Sequence, residues 1–394
     1  MENTIAILCI DDELDMEMLI KQKFRKNIRN NEYSFVFAQN GLHALEQLDQ
    51  HPEICLVLSD INMPEMDGLT FLSKLKERKN HEIKTVMVSA YGDMDNIRTA
   101  MNRGAFDFIT KPINFDDMEI TIKKTIDEIE LLKKFQRDRD NLVSIQKDLS
   151  IANDIQQSML PKKYPAFPDR TDFDLHGVVQ PAKTVGGDLY DYFLLDDDHL
   201  FFMVGDVSDK GISAALFMAI TKSLIKTNFS GVNNPNMVDE IMKINRVLSQ
   251  DNDALMFVTI FVCVLNLKTG EVNYVDGGHE RPLILREGKK VEVFEKITGL
   301  PICVDASFPY KQYQFNIQPG DSIILYSDGL EDAKNPAGER RTIQPSIDIL
   351  ESLEPNLTSG QINEKLLNEV NSYINTADQF DDITILTVNY YGNK

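Results

Sequence analysis

The sequence is poor in cysteine and in basic residues, and it has no tryptophan. Its 394 residues include 41 lysines and arginines against 62 aspartates and glutamates, which gives a net charge of -21. Such an acidic surface repels nucleic acid and anionic lipid, so it excludes both as partners and favours basic or neutral proteins. The cysteines are far apart and form no CxxC pair, which excludes a disulfide framework or a zinc site and favours free thiols in a reducing cytoplasm. They are Cys9, Cys55, Cys263 and Cys303.

No segment has the composition of a secretory leader or the length of a membrane span. The first apolar stretch is not preceded by a basic region and ends at Asp11. The longest apolar run, from Phe257 to Leu265, has the length of a strand. The sequence therefore predicts a soluble cytoplasmic protein, and its length predicts two or three domains.

Residues 1–120 alternate apolar strand patterns with helical ones, which predicts an α/β domain with a doubly wound parallel sheet. Ligands of such sheets collect at the carboxyl ends of the strands. Polar side chains stand at four of these predicted ends: Asp11 and Asp12, Asp60, Ser89, and Lys111.

This set of residues resembles the receiver domain of two-component response regulators. The resemblance implies that Asp60 accepts a phosphoryl group from a sensor histidine kinase, acting as a carboxylate nucleophile. It also implies one Mg²⁺, which offsets charge on the incoming group. The implied ligands of this ion are Asp11, Asp12, Asp60 and the carbonyl oxygen of Asn62.

Three further receiver residues carry implied roles. Ser89 and Lys111 would contact the phosphoryl oxygens, the bond from Lys111 to Pro112 would be cis, and Phe108 would be the switch aromatic. The alternative is a degenerate receiver that keeps the fold as a docking module.

Residues 121–165 form the predicted connector, since there is no glycine or proline between Asp116 and Pro161. Apolar residues follow heptad steps, and one helix alone leaves such a stripe uncovered. This pattern predicts a parallel dimeric coiled coil, hence a homodimer; the alternative is a long helix that packs on its own chain. The stripe contains Leu131, Phe135, Leu142, Ile145, Leu149, Ala152 and Met159.

Three aspartates between residues 166 and 394 each stand where an apolar run meets a turn: Asp206, Asp328 and Asp381. Mg²⁺ and Mn²⁺ prefer oxygen ligands, and a chain without a local ligand loop gathers them from distant strand ends. Each aspartate alone is an ordinary turn residue. A fourth segment adds Asp188, directly after two glycines.

These segments, in this order, resemble the metal-dependent serine/threonine phosphatases of the PPM (PP2C) class, in the bacterial branch that includes the stage II sporulation phosphatase. Further motifs of that branch are Asp276-Gly277-Gly278-His279 and Gly299-Leu300-Pro301. The resemblance implies an α+β sandwich with two Mn²⁺ or Mg²⁺, and hydrolysis by direct attack of an activated water. The implied ligands are Asp206, which bridges the ions, the carbonyl of Val207, Asp328, Asp381 and, through water, Asp188.

Other residues near these motifs have alternative assignments. Gly187 and Gly329 would allow close approach of the backbone. A lone histidine such as His279 is more often structural than catalytic, and Lys210 stands where eukaryotic relatives carry a candidate general-acid histidine. Three more acids, Asp191, Asp209 and Asp382, would either bind a third metal or be solvated turn residues.

The leading hypothesis is a response regulator whose output dephosphorylates phosphoserine or phosphothreonine on a regulatory protein, which family analogy identifies as an anti-sigma-factor antagonist. The alternative is a non-catalytic adaptor that binds a sigma-factor regulator under receiver control; such an adaptor should lack one or more of the four acids. A DNA-binding regulator is disfavoured by the acidic charge and the lack of a basic helix-turn-helix segment.

Overall fold

The computed structural model describes residues 4–78, 83–90, 92–230, 236–250, 252–287, 290–294 and 299–392. The chain divides into two compact units, Met1–Ser144 and Ile145–Lys394. All four cysteines are free thiols, and three of them are buried, as expected. None of the described helices combines the length and apolar character needed to cross a membrane.

The first unit is a five-stranded parallel sheet flanked by helices, which confirms the predicted doubly wound fold. The strand order β2-β1-β3-β4-β5 reverses direction beside β1, where such sheets bind ligands. The strands are β1 (Ile5–Ile10), β2 (Tyr33–Ala38), β3 (Ile54–Asp60), β4 (Lys84–Ala90) and β5 (Asp107–Lys111). The helices are α1 (Leu14–Lys23), α2 (Arg25–Arg29), α3 (Gly41–Gln50), α4 (Gly68–Glu77) and α5 (Met94–Asn102).

A single helix, α6 (Phe115–Met159), covers most of the predicted connector, which was residues 121–165. Its first turns belong to the receiver core, because Met118, Ile122, Ile126 and Ile129 are buried there. The predicted boundary at residue 120 therefore lies inside a helix. By contrast, every residue from 131 to 148 is exposed, so no described part of the chain covers the apolar stripe at this level.

The second unit contains two five-stranded antiparallel sheets with helices on their outer faces, which confirms the predicted sandwich. One sheet has the order β13-β10-β9-β8-β7 and the other β12-β11-β14-β15-β6. The strands are β6 (Phe173–Gln180), β7 (Leu189–Leu194), β8 (His199–Val207), β9 (Val258–Asn266), β10 (Glu271–Gly277), β11 (Leu283–Leu285), β12 (Val291–Val293), β13 (Tyr313–Asn316), β14 (Ser322–Tyr326) and β15 (Ile383–Tyr390). The helices are α7 (Ile212–Phe229), α8 (Met237–Ser249), α9 (Gly329–Asp332), α10 (Gln344–Ser352) and α11 (Ser359–Ile374).

Apolar side chains fill the space between the sheets and beneath the helices. Phe202 of β8 and Leu386 of β15 belong to the large core that also contains Met218 of α7. A second core lies under α11, where Leu366 and Ile385 are fully buried. Strand ends are therefore fixed by packing on both faces of each sheet.

Candidate active site and phosphorylation site

Three carboxylates meet at the carboxyl ends of β1 and β3. Oxygen atoms of Asp11, Asp12 and Asp60 lie within 4.8 Å of one another, a spacing that suits one divalent cation. Burial raises the pKa of Asp11, although its hydrogen bond with the Glu13 backbone and the charge of Lys111 partly offset this. A cation would relieve the crowding of negative charge, so these residues fit the expected Mg²⁺.

Lys111 links β5 to this acid cluster. Its Nζ donates to Asp60 Oδ2 at 2.6 Å and to Asp11 Oδ2 at 3.2 Å. Burial alone would lower the pKa of Lys111, but these two carboxylates outweigh burial and raise it. The lysine therefore stays charged beside the expected phosphoacceptor, and its bond to Pro112 is cis.

The remaining predicted receiver residues lie close to Asp60 or on neighbouring strands. The backbone N–H of Asn62 donates to Asp60 Oδ1 at 3.3 Å. Ser89 on β4 has a buried Oγ without a hydrogen-bond partner, which suits a hydroxyl that awaits a phosphoryl oxygen. Phe108 on β5 is 38% exposed, and its role as the switch aromatic stays a prediction.

The four acids of the second unit come together at one end of the sandwich. Strand pairing brings Leu189, next to Asp188, opposite Gly205, next to Asp206. In the other sheet, the end of β14 before Asp328 pairs with the start of β15 after Asp381. The chain thus assembles the site from segments that are far apart in sequence.

The charges of these acids act on one another. Burial raises the pKa of Asp206, and the charge of Asp328 raises it further. Burial and the charge of Asp381 raise the pKa of Asp328 to about 6. Asp328 Oδ1 is buried and has no hydrogen-bond partner in the structure, an arrangement that is costly unless a cation binds there. These acids therefore fit divalent cations, although among the described residues only Asp11, Asp12 and Asp60 bring three ligand atoms within 4.8 Å of one another.

Asp188 lies next to Asp206, at the ends of the paired strands β7 and β8. Its Oδ2 accepts hydrogen bonds from Ser327 Oγ at 2.7 Å and from Thr384 Oγ1 at 2.6 Å. Burial, followed by the charges of Asp206 and Asp382, raises the pKa of Asp188. Two hydroxyl donors thus fix this carboxylate at the edge of the site, in keeping with the expected outer position.

Asp382 holds the loop that leads into β7. Its Oδ1 accepts from the backbone N–H of Ala182 at 2.7 Å, and its Oδ2 accepts from that of Gly187 at 2.8 Å. Both oxygens are therefore engaged by the backbone, which favours a structural role over the third metal site considered from the sequence.

Gly187 and Gly329 lie where no side chain fits. A Cβ on Gly187 would be 2.8 Å from the carbonyl oxygen of Val207, and one on Gly329 would be 1.9 Å from that of Asp382. The backbone approaches the acids closely at both positions, as the sequence indicated.

Lys210 binds Asp381 rather than standing free in the site. Its Nζ is 2.7 Å from Asp381 Oδ2 and donates to the carbonyl oxygen of Phe380 at 2.6 Å. The lysine also lies over the Phe380 ring, 4.6 Å from its centroid. These contacts connect the loop after β8 to the loop before β15.

His279 connects three segments behind the acids. Its Nδ1 is 2.8 Å from Thr259 Oγ1, and its Nε2 is 3.0 Å from the carbonyl oxygen of Tyr326. Burial lowers its pKa to about 4, so the ring is neutral and donates from Nε2 to that carbonyl. Because both nitrogens are occupied, the structure favours the structural reading of this histidine.

The other two acids considered from the sequence have different environments. Asp191 forms an ion pair with Lys222 of α7, and both side chains are almost fully buried. Asp209 is exposed and has a positive φ of 73° in the turn before α7. Neither is brought into a compact acid cluster.

Sequence reasoning missed four polar residues that support this site: Gln156, Lys222, Ser327 and Thr384. Each stands in or beside an apolar or helical pattern, and each contacts a residue at least 30 positions away. A polar residue on a buried face is the only local signal that could have indicated them.

Known proteins match both units. Residues 7–123 match the model of the response regulator receiver domain, and residues 196–391 match that of stage II sporulation protein E. Chemotaxis protein CheY of Bacillus subtilis is 37% identical over 121 residues, which are 30% of this chain and 96% of CheY. The SiaA-PP2C domain of Pseudomonas aeruginosa has the same fold as the second unit, with a TM-score of 0.56 and 19% identity, over 64% of this chain and 98% of that domain.

Two further relatives match more than half of the chain. Phosphoserine phosphatase RsbU of Bacillus subtilis is 30% identical over 206 residues, and protein IcfG of Synechocystis is 31% identical over 269 residues. These matches cover 52% and 61% of this chain. The chain spans only 60% of the length of RsbU and 41% of that of IcfG.

The fold and the comparisons together show which families the two units belong to. The chain belongs to the response regulators through its N-terminal receiver domain, and its C-terminal domain is a PP2C-type phosphatase domain of the stage II sporulation protein E family.

Proposed function

We propose that this protein is a response regulator that dephosphorylates phosphoserine or phosphothreonine on a regulatory protein, under control of phosphorylation at Asp60. The meeting of Asp206, Asp328 and Asp381, with a buried Asp328 oxygen that lacks a partner, carries this proposal. The name of the relative RsbU, phosphoserine phosphatase, supports the same reaction. Following the family resemblance, the substrate is a phosphorylated anti-sigma-factor antagonist and the phosphoryl donor is a sensor histidine kinase.

The phosphatase metals would be held by Asp206, Asp328, Asp381 and the carbonyl of Val207. Two Mn²⁺ or Mg²⁺ ions supply an activated water and offset the charge of the phosphoryl oxygens. The protein keeps the ligands in place: Lys210 holds Asp381, and neutral His279 holds the strand end that precedes Asp328.

The receiver chemistry would take place at the carboxyl edge of the parallel sheet. Asp60 supplies the nucleophilic carboxylate, and a Mg²⁺ beside it offsets the charge of the phosphoryl group. Asp11 and Asp12 would hold that ion. Lys111 already contacts Asp60, so phosphorylation would move its Nζ onto a phosphoryl oxygen.

The exposed stripe of α6 supports a homodimer. Leu131, Phe135, Leu142 and Ile145 are all exposed, and they follow the heptad spacing at which two helices bury each other's side chains. A second copy of this chain presents an identical stripe, so we assign a parallel coiled coil to this segment.

A phosphatase assay tests the proposal directly. Full-length protein with Mn²⁺ should hydrolyse a phosphoserine protein, and Asp328→Asn should lower kcat/KM by about 100-fold or more, since it removes a metal-binding charge. Asp198→Asn is the matched control, because Asp198 lies on the surface in an ion pair with Lys268. Beryllofluoride, which mimics the aspartyl phosphate, should change the rate in the wild type but not in Asp60→Ala.

Two results would contradict the proposal. If Asp328→Asn kept wild-type activity, the assignment of Asp328 as a metal ligand would be wrong. Binding of a phosphoprotein without any Mn²⁺-dependent hydrolysis would favour the adaptor function instead.

A further inference from the structure

Gln156, near the end of α6, makes a two-point contact with the loop before β7. Its Nε2 donates to the carbonyl oxygen of Gly186 at 2.6 Å, and the backbone N–H of Gly186 donates to its Oε1 at 3.2 Å. One side-chain amide therefore satisfies both polar backbone groups of a single residue. Gln156 is only 6% exposed, so water does not readily replace these bonds.

Gly186 lies where a small displacement matters. A Cβ at this position would be 2.0 Å from Asp382 Oδ2, so the backbone is pressed against that carboxylate. The next residue, Gly187, donates to the same Asp382 oxygen and packs against the carbonyl of Val207. Asp188 follows directly. The Gln156 contact thus acts on the segment that places Asp188 and adjoins the carbonyl of Val207.

The contact also depends on the rotation of α6. Each residue turns an α-helix by about 100°, so Ile155 and Gln157 point in other directions. Gln156 is buried, whereas Ile155 is exposed and Gln157 is partly exposed. In this rotation of the helix, Gln156 is the residue that reaches Gly186.

We propose that Gln156 is a positioning residue for the phosphatase metal site, through which the last turn of α6 holds the Gly186-Gly187-Asp188 segment in its metal-binding geometry. This inference rests on the proposed function and assigns a role to a residue that touches neither metal nor substrate. Residues that orient metal ligands commonly contribute roughly 10–100-fold to metal affinity.

Mn²⁺ binding by full-length Gln156→Leu tests this role. Isothermal titration should show a Kd for the phosphatase site raised roughly 10–100-fold, and the Mn²⁺ concentration for half-maximal activity should rise equally. At saturating Mn²⁺ kcat should return close to the wild-type value. Gln157→Leu is the matched control, since it makes the same chemical change one residue later, and it should leave Mn²⁺ affinity unchanged.

A second variant tests the same role in case Gln156→Leu does not fold. Gln156→Glu keeps an acceptor for the Gly186 N–H but loses the donor to its carbonyl, so it too should weaken Mn²⁺ binding. If either folded variant binds Mn²⁺ as Gln157→Leu does, or shows a lower Tm with unchanged Mn²⁺ affinity, the positioning role is refuted. A wild type that binds Mn²⁺ in a Gln156-dependent way without hydrolysing phosphoserine would refute the proposed function and leave this inference standing.

Discussion

Breaking the buried ion pair of Lys222 and Asp191 should destabilise the phosphatase domain strongly. The side chains of Lys222 and Asp191 are 4% and 2% exposed, so each charge is stabilised by its partner rather than by water. Burial lowers the pKa of Lys222, and the charge of Asp191 only partly restores it. Removing one partner of such a pair costs about 3–5 kcal/mol, because it leaves an uncompensated buried charge.

Two single variants and their combination measure this effect. For a domain of this size, about 1 kcal/mol shifts Tm by about 2–4 °C, so Lys222→Met or Asp191→Val should each lower Tm by roughly 6–20 °C. The double variant should recover most of the loss, since apolar side chains often replace a buried pair without penalty. Calorimetry of the full chain resolves the effect, because beryllofluoride stabilises only the receiver transition.

An exposed pair provides the control. Lys268 and Asp198 also form an ion pair, but their side chains are 60% and 38% exposed, and breaking such a pair costs less than about 1 kcal/mol. If Lys222→Met lowered Tm no more than Lys268→Met, or if the two buried substitutions simply added, the reasoning about buried charge would be wrong.

Two further predictions concern α6 and Asp382. Phe135→Glu and Leu142→Glu should convert a dimer to a monomer in sedimentation, whereas Arg137→Glu, away from the heptad seam on the same exposed segment, should not; a monomeric wild type would disprove the coiled coil. Asp382→Asn should lose one of two backbone hydrogen bonds to a charged acceptor, destabilise the domain by about 1.5–3 kcal/mol and weaken Mn²⁺ binding in titration, while the exposed control Asp378→Asn should do neither.

The strand-end acids could be predicted from the sequence because their signal is local. Asp60 and Asp206 each follow a short apolar run of strand length, which predicts a buried strand and places the acid at its end. The parallel sheet could also be predicted, because apolar strand patterns alternate with helical ones in residues 1–120. The α+β sandwich was instead an implication of the family resemblance.

The supporting residues could not be predicted because their partners are distant in the sequence. Thr384 looks like an ordinary β-branched strand residue, yet it donates to Asp188, which lies 196 positions earlier. Lys222 interrupts an apolar helix and reads as exposed until β7 brings Asp191 beside it. Tertiary packing determines these hydrogen-bond and ion-pair partners, and no local sequence pattern indicates them. For Asp382 the sequence left two alternatives, a third metal ligand or a solvated turn residue, whereas in the structure backbone N–H groups donate to both of its side-chain oxygens.

The unbroken helix α6 also bears on how such proteins diversify. Adding seven residues to a helix changes its rotation by only about 20°, whereas adding two or five turns its face well away. An insertion of seven in the exposed segment 131–148 would therefore keep Gln156 in phase with the stripe that precedes it. Exchange of the receiver domain, natural or engineered, should therefore succeed when the length of this segment changes by multiples of seven residues. The length of the segment thus determines which new input domains can be joined to the same phosphatase domain.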